Sequence, residues 1–171
     1  HDYTSKTIGE LTNYNIRRTL VLSQRVITSS VFMVDDLVKS VLTGNVVATN
    51  FTKFMEALLK GDYEAYKADD NPEVFPIFQS DSEVKQSPLL KIRILALLDA
   101  TKKSGSNIDD RHLGVSSIVN YFDSIGATEI AIDRALLDLL SSGLIEAYDA
   151  SENNLSPEQR LAISFRGNAH L

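Results

Sequence analysis

The sequence has no cysteine among its 171 residues and only three histidines. The absence of cysteine excludes a disulfide framework, a thiol nucleophile and a thiolate metal site. No apolar run approaches the roughly 18 residues of a transmembrane helix, and the first residues do not resemble a signal peptide. We therefore expect a cytoplasmic chain that does not enter a membrane. Because the chain begins at His1, we also expect it to be a piece of a longer protein.

The sequence also has no excess of basic over acidic residues. The chain carries 17 Lys and Arg against 23 Asp and Glu, a formal net charge of −6. Capture of nucleic acid or of an anionic membrane by bulk charge is therefore disfavoured. The histidines, His1, His112 and His170, are far apart and share no ligand spacing, so we predict neither a metal site nor a catalytic histidine.

The composition is that of a globular chain with two regions. Hydrophobic residues make up 43% and charged residues 23% of the sequence, which is ordinary for a folded domain. Residues 68–86 are polar and contain Pro72 and Pro76, which interrupt regular structure. We predict a helical region at 1–67, a linker at 68–86 that includes an apolar strap around Phe75, and a second domain at 87–171.

The first region is predicted to contain three short helices, at 15–31, 35–44 and 50–61. Asp35 and Asn50 are expected to cap the second and third helices. The apolar residues expected to face the core are Ile16, Leu20, Ile27 and Val31 in the first helix, Leu37, Val38, Val41 and Leu42 in the second, and Phe51, Phe54, Met55, Leu58 and Leu59 in the third.

The second domain is predicted to contain three helices followed by a β-hairpin. Ser87 and Pro88 form a strong helix start, as an N-cap followed by proline, and the later helices span 115–125 and 128–143. Strands are expected at 144–148 and 161–165. The residues expected to face inward are Leu89, Ile92, Leu95, Ala96 and Leu98 in the first helix, Val115, Ile118, Val119 and Phe122 in the second, and Ile132, Ala135, Leu136, Leu139 and Leu140 in the third.

This order of elements resembles prokaryotic winged-helix domains, a class of helix-turn-helix fold. The resemblance rests on DRALLDLLSSGLIE at 133–146 and LAISFRGNAHL at 161–171, and it covers residues 88–171. In the family the last strand often runs into a T-x-x-G-x-x-Y/L tail, which Ser164, Gly167 and His170 follow approximately. The fold class that this implies is mainly α with a small β-hairpin, a helical bundle followed by a winged helix.

The first region resembles part of another family. The run YNIRRTL at 14–20 is similar to the G-[DN]-x-R-x-x-L start of the lid helix in AAA+ and STAND-type P-loop ATPases. There the arginine reaches the nucleotide phosphates, which implies the same role for Arg17. The family has glycine where this chain has Tyr14. The alternative for Arg17 is an exposed position on a solvated helix face, paired with a nearby acid such as Glu10.

The ATPase resemblance implies a non-catalytic C-terminal region, because no G-x-x-x-x-G-K-[ST] phosphate loop occurs in the sequence. No cofactor is then expected on this chain, and ATP would bind the parent protein. The partner would be the rest of the ATPase or another protein. An interaction module without a nucleotide role is a further possibility.

A stand-alone DNA-binding regulator, with the N-terminal helices forming a dimer, is the other alternative. The third helix of the second domain would read the DNA, with contacts at Arg134, Ser141, Arg160 and Arg166. The outward positions of that helix also include Glu129, Asp133 and Asp138, and the predicted wing at 151–158 is acidic. Because phosphates repel this charge, we expect protein contact over DNA.

Overall fold

The computed structural model describes residues 2–29, 34–44, 51–60, 75–78, 87–148 and 155–171. In these residues the protein is mainly helical, with a small three-stranded antiparallel sheet. The chain divides into two compact units, His1–Phe75 and Pro76–Leu171. The division lies within the linker predicted at 68–86.

Four helices form the described part of unit 1. They are α1 (Asp2–Leu11), α2 (Ile16–Thr28), α3 (Val34–Thr43) and α4 (Phe51–Lys60). Helix α1 was not predicted from the sequence. Helix α2 packs against both α1 and α4, and the buried apolar residues of this unit include Leu11, Leu22, Val26, Phe54, Ala57 and Leu58.

The predicted inner face of α2 is wrong. Ile16, Leu20 and Ile27 are all exposed, whereas Leu22 and Val26 are buried. Both sets recur at helical spacing, and only packing against neighbouring helices decides between them. Val31 lies outside the described residues.

Two predictions for α3 are also wrong. The helix begins at Val34, so Asp35 lies inside the first turn and is not the N-cap. Val38, Val41 and Leu42 are exposed, although a buried face was predicted there. For α4 the predicted burial of Phe54 and Leu58 is confirmed, and Met55 is half-buried. The predicted cap, Asn50, and the side chains of Phe51 and Leu59 lie outside what the structure describes.

Unit 2 contains the predicted three helices and two strands, together with elements that the prediction missed. The helices are α5 (Leu90–Ser104), α6 (Val115–Ser124) and α7 (Glu129–Ser141), and the paired strands are β2 (Ile145–Ala147) and β3 (Arg160–Ile163). The additional elements are a 3-10 turn (Asp109–Arg111), strand β1 (Leu113–Gly114) and a short helix α8 (Phe165–Asn168).

Helix α5 begins two residues later than the Ser-Pro start suggests. The Ser87 hydroxyl accepts the N–H of Leu89 at 3.3 Å, and its carbonyl accepts the N–H of Leu90 at 2.9 Å. The N-cap is Leu89, which makes no side-chain cap, so the predicted N-cap at Ser87 is wrong, and Ser87 instead closes the turn that precedes the helix. The predicted inner face is partly wrong: Leu89 and Ala96 are exposed, Ile92 is half-buried, and the buried residues are Leu90, Lys91, Ile94, Leu95 and Leu98.

Helices α6 and α7 follow the prediction closely. Val115, Ile118 and Phe122 are buried on α6, and the predicted inner face of α7 is buried apart from the half-buried Leu140. The Thr128 hydroxyl caps α7 by accepting the N–H of Ala131 at 3.4 Å. These contacts place α7 with one face in the core and the other exposed.

The sheet has the strand order β1-β3-β2, and both pairs are antiparallel. Ile145 pairs with Ile163, and Leu113 pairs with Leu161. The last strand in the chain is thus the central strand of the sheet. The predicted hairpin is confirmed as the β2–β3 pair, and β1 adds a third strand.

The C-terminal residues fasten α8 to the turn between α7 and β2. The Ser164 hydroxyl accepts the Gly167 N–H at 3.0 Å and lies 2.8 Å from the Gly143 carbonyl oxygen, to which it donates. Arg166 is buried, and its guanidinium donates to the Ser142 carbonyl at 2.7 Å. A Cβ on Gly167 would lie 2.1 Å from the Leu144 oxygen, so only glycine fits there. These contacts give the S-x-x-G spacing a structural role.

Candidate functional site

The turn between α1 and α2 has an unusual backbone. Asn13 and Tyr14 have φ values of 50° and 56°, in the left-handed region. Asparagine tolerates this region, but a bulky residue such as tyrosine is strained in it. The Tyr14 N–H donates to the Gly9 carbonyl at 2.7 Å, which closes the end of α1. The tyrosine therefore occupies a backbone position that suits glycine.

The residues around the turn compensate for this tyrosine. A Cβ on Gly9 would lie 2.5 Å from the Tyr14 ring, so the ring uses the space that Gly9 leaves open. The hydroxyls of Thr12 and Thr19 lie 2.8 Å apart and link the turn to α2. The turn is thus held on both sides by specific contacts.

Asn15 is the N-cap of α2. Its side-chain oxygen accepts the N–H of Arg18 at 3.2 Å, and its carbonyl accepts the N–H of Thr19 at 2.8 Å. An asparagine or aspartate here satisfies a backbone donor that the helix itself cannot. Asn15 therefore stabilises the first turn of α2.

Arg17 is the second residue of α2, and its side chain is exposed. Neither Arg17 nor Arg18 forms an ion pair within the part of the chain that the structure describes. Glu10, the acid expected near Arg17, has its Oε1 atom 3.7 Å from Nζ of Lys6. Arg17 and Arg18 point about 100° apart around the helix axis, so an anion held by one need not touch the other.

The outer face of α7 carries apolar residues at its centre. Ile130 is 71% exposed and Leu137 is 37% exposed, and they lie seven residues apart, which places them on one side of the helix. Glu129 and Arg134 are exposed beside them, and Asp133 is half-buried. Ile130 and Leu137 were not among the outward-facing residues predicted from the sequence. Their signal in the sequence was an apolar pair out of phase with the buried residues.

One end of this face is fixed by a buried lysine. Lys91 of α5 is nearly inaccessible, and its ammonium group lies 3.0 Å from a carboxylate oxygen of Asp138. A buried cation requires such a partner. Asp138 is therefore engaged with the core and does not belong to the open part of the α7 face.

The structure separates the four residues predicted to contact DNA. Arg134 and Ser141 are exposed on α7, and Arg160 is exposed on β3 with its guanidinium 3.8 Å from Asp109. Arg166 is buried and donates to a backbone carbonyl, so its side chain does not face solvent. The predicted set does not form one exposed basic surface.

His112 and His170 have structural contacts, and His1 lies outside the described residues. His112 lies with Nδ1 2.8 Å from the Ile108 carbonyl, and its ring meets Tyr148 edge-on at 4.9 Å. His170 lies with Nδ1 2.8 Å from the Arg166 carbonyl, and burial lowers its pKa. Within the described residues, no three or more His, Asp or Glu side chains are grouped so that they could hold a metal ion.

In the described ranges, no helix has the length and apolar character that crossing a bilayer requires. Comparison with known proteins found no matching family model, no matching curated protein and no matching solved structure.

Proposed function

We propose that the chain is a non-catalytic regulatory and interaction region from the C-terminal part of a larger P-loop ATPase of the AAA+ or STAND type. The observation that carries this proposal is the turn before α2. Its backbone is left-handed at Tyr14, where the family has glycine. The next residue, Asn15, is the N-cap, and Arg17 is exposed two residues later. The glycine, [DN] and arginine positions of the motif thus have physical counterparts in this chain, whereas Leu20, at the leucine position, is exposed.

Arg17 would contact nucleotide phosphates held by the rest of the parent protein. A guanidinium suits this role because it stays charged and presents several donors to phosphate oxygens. Its position near the N-terminus of α2 adds the partial positive charge of the helix end. Asn15 would set the direction in which α2, and so Arg17, leaves the turn.

Unit 2 would be a winged helix that follows this lid-like bundle. Three helices followed by the β2–β3 pair, with β1 completing the sheet, support the assignment. Thr128 caps α7 and Gly143 ends it with a φ of 69°, so that β2 begins directly after the helix. In this arrangement α7 is the helix whose outer face meets a partner.

The partner of α7 would be a protein and not DNA. Ile130 and Leu137 occupy the centre of its outer face, where side chains that hydrogen-bond to base edges would have to lie. Outside the Lys91–Asp138 pair, the helix carries two acids, Glu129 and Asp133, against the single Arg134, which opposes approach to phosphates. An exposed apolar pair with a charged surround is typical of a protein contact.

The nucleotide part of the proposal is tested in the parent protein. Its reading frame should encode a G-x-x-x-x-G-K-[ST] loop upstream of this segment. In the full chain, Arg17→Ala should weaken ATP binding about tenfold or more, since a charge-assisted hydrogen bond is lost. Arg18→Ala is the matched control and should leave the affinity unchanged. A reading frame without the loop, or equal effects of both substitutions, would refute the assignment.

The choice between protein and DNA is tested by fluorescence anisotropy with mixed-sequence duplex DNA at low and near-physiological salt. We expect the chain not to bind the DNA at either salt concentration. Micromolar affinity that falls steeply as salt rises, and that Arg134→Ala removes, would show instead that α7 faces phosphates. That result would make the stand-alone DNA-binding regulator the better description.

A further inference from the structure

A small cavity opens in unit 2 where the start of α5 meets the turn between α6 and α7. Its volume is about 170 Å³. Leu90, Phe122 and Ala131 form the buried apolar part of its lining, and Ser87, Arg93 and Thr128 contribute polar groups. An apolar cavity of roughly 150 Å³ is large enough for benzene. By volume the space holds a group of about six carbon atoms, with apolar contacts on the side of Leu90, Phe122 and Ala131 and polar groups on the other.

The charge at this cavity has one sign. Arg93 is the ionisable residue among the described residues that line it, and its side chain is exposed. Within the described part of the chain, Arg93 has no ion pair. It lies one turn after Leu90 on α5, so the cation and the apolar wall share one side of that helix. A cation beside an apolar space matches a ligand that has both characters.

The start of α7 adds to the preference for an anion. Thr128 lines the cavity and is the N-cap of this helix of 13 residues. Its hydroxyl satisfies the Ala131 N–H, while the N–H groups of the two residues between them have no acceptor inside the helix. The positive end of the helix acts in the same sense as Arg93. The exposed Glu129 of the first turn has the opposite charge, and it is not among the residues that line the cavity.

We propose that this cavity binds a small carboxylic acid whose apolar part has the size of a phenyl or isobutyl group. The apolar part would lie against Leu90, Phe122 and Ala131, and the carboxylate would pair with Arg93. The same chemistry is present in a free acid and in the C-terminal residue of a peptide. The proposal does not depend on the role assigned to Arg17 or on the partner of α7.

The test is a titration of the whole 171-residue chain, followed by the backbone amide signals in NMR. Benzoate and 4-methylpentanoate should shift the signals of Gly126, Ala127 and Thr128, with dissociation constants on the order of 1 mM. Benzamide, which has the same shape without the charge, should bind at least tenfold more weakly. Acetate, which lacks the apolar part, should not shift these signals.

Two variants separate this site from general attraction of anions. Arg93→Met should reduce benzoate affinity about tenfold or more, whereas Arg111→Met, an equal loss of charge elsewhere on unit 2, should not. Ala127→Leu should block binding by filling the cavity. The proposal is overturned if benzoate shifts no signals at these residues, if Arg93→Met binds as tightly as the parent chain, or if acetate acts like benzoate. Tighter binding of N-acetyl-leucine than of 4-methylpentanoate would identify a peptide C-terminus as the source of the ligand. Tighter binding of 4-methylpentanoate would identify a free acid.

Discussion

Replacing Gly167 by alanine should destabilise unit 2 more than a substitution of one methyl group normally does. The added Cβ would lie 2.1 Å from the Leu144 oxygen and 2.8 Å from Cγ1 of Ile163. Real Cβ atoms do not approach a backbone oxygen this closely, so α8 or the start of β2 must move by about 1 Å. The Leu144 carbonyl also accepts the Ser164 N–H at 3.1 Å, and that hydrogen bond would be strained.

The expected loss is about 3 kcal/mol. Overpacking of a well-filled site costs roughly 1–3 kcal/mol, and weakening one buried hydrogen bond adds about 1 kcal/mol. For a domain of this size, such a loss lowers the melting temperature by roughly 15 °C. Because the chain has no tryptophan, circular dichroism is the suitable probe of thermal and urea unfolding.

Gly114→Ala is the matched control for this experiment. A Cβ there would lie no closer than 3.8 Å to any neighbour, at the hydroxyls of Ser116 and Ser117, and the backbone φ of −66° suits alanine. We expect it to cost less than about 1 kcal/mol, mainly through the loss of a favourable N-cap glycine. If Gly167→Ala unfolds at the same urea concentration as Gly114→Ala, the close approach of α8 to Leu144 is not present in solution.

Three further predictions concern buried charge, pH and backbone strain. Lys91→Met should cost about 1–2 kcal/mol by leaving the Asp138 carboxylate without its partner, and the added change Asp138→Leu should recover most of that loss in a double-mutant cycle. Burial lowers the pKa of His170 below the ordinary value of 6.5, so the unfolded chain binds the proton more readily. The contribution of His170 to the free energy of unfolding should therefore be fully present above about pH 7 and should be lost as the pH decreases below 6.5. In urea titrations between pH 7 and 5.5, the free energy of unfolding should fall less in His170→Gln than in the parent chain. Tyr14→Gly should be about 1 kcal/mol more stable than Tyr14→Ala in urea unfolding, because both lose the ring and only alanine keeps the strain of the left-handed backbone; equal midpoints would mean that this strain is absent.

Sequence reasoning succeeded where local signals and packing agree. Thr128 and Gly143 bracket α7, and the residues between them have one clear apolar face, so the helix and its buried side were both predictable. The β2–β3 pair was predictable because two short apolar runs flank a polar loop. In these places the local pattern leaves a single arrangement.

It failed where the local pattern allows more than one arrangement. Helix α5 has apolar residues on nearly every side and buries Lys91, so its spacing does not fix which side faces inward. In α2, two apolar sets compete, and the contacts with α1 and α4 select Leu22 and Val26. Strand β1 has two residues and α8 has four, too few for periodicity to appear.

The assignment of Arg17 as a site residue stays a prediction. The run at 14–20 pointed to Arg17, and the structure adds that Tyr14 adopts the backbone of a glycine. By contrast, the burial of Arg166 could not be read from the sequence, since an arginine in a polar tail is usually exposed. The cavity beside Arg93 depends on three separate parts of unit 2, so it appears only in the folded chain.

The central position of β3 in the sheet has a consequence for synthesis of the chain. Strands β1 and β2 both hydrogen-bond to β3, which is synthesised after both of them. At roughly 5–20 residues per second, β1 waits several seconds for its partner. During that interval the helices can pack together, but the N–H and C=O groups of both strands remain unpaired. Unpaired strand edges of this kind promote aggregation. Chains interrupted before Arg160 should therefore be recovered in aggregates, and ribosomes stalled there should hold unit 2 in a form that proteases cut readily.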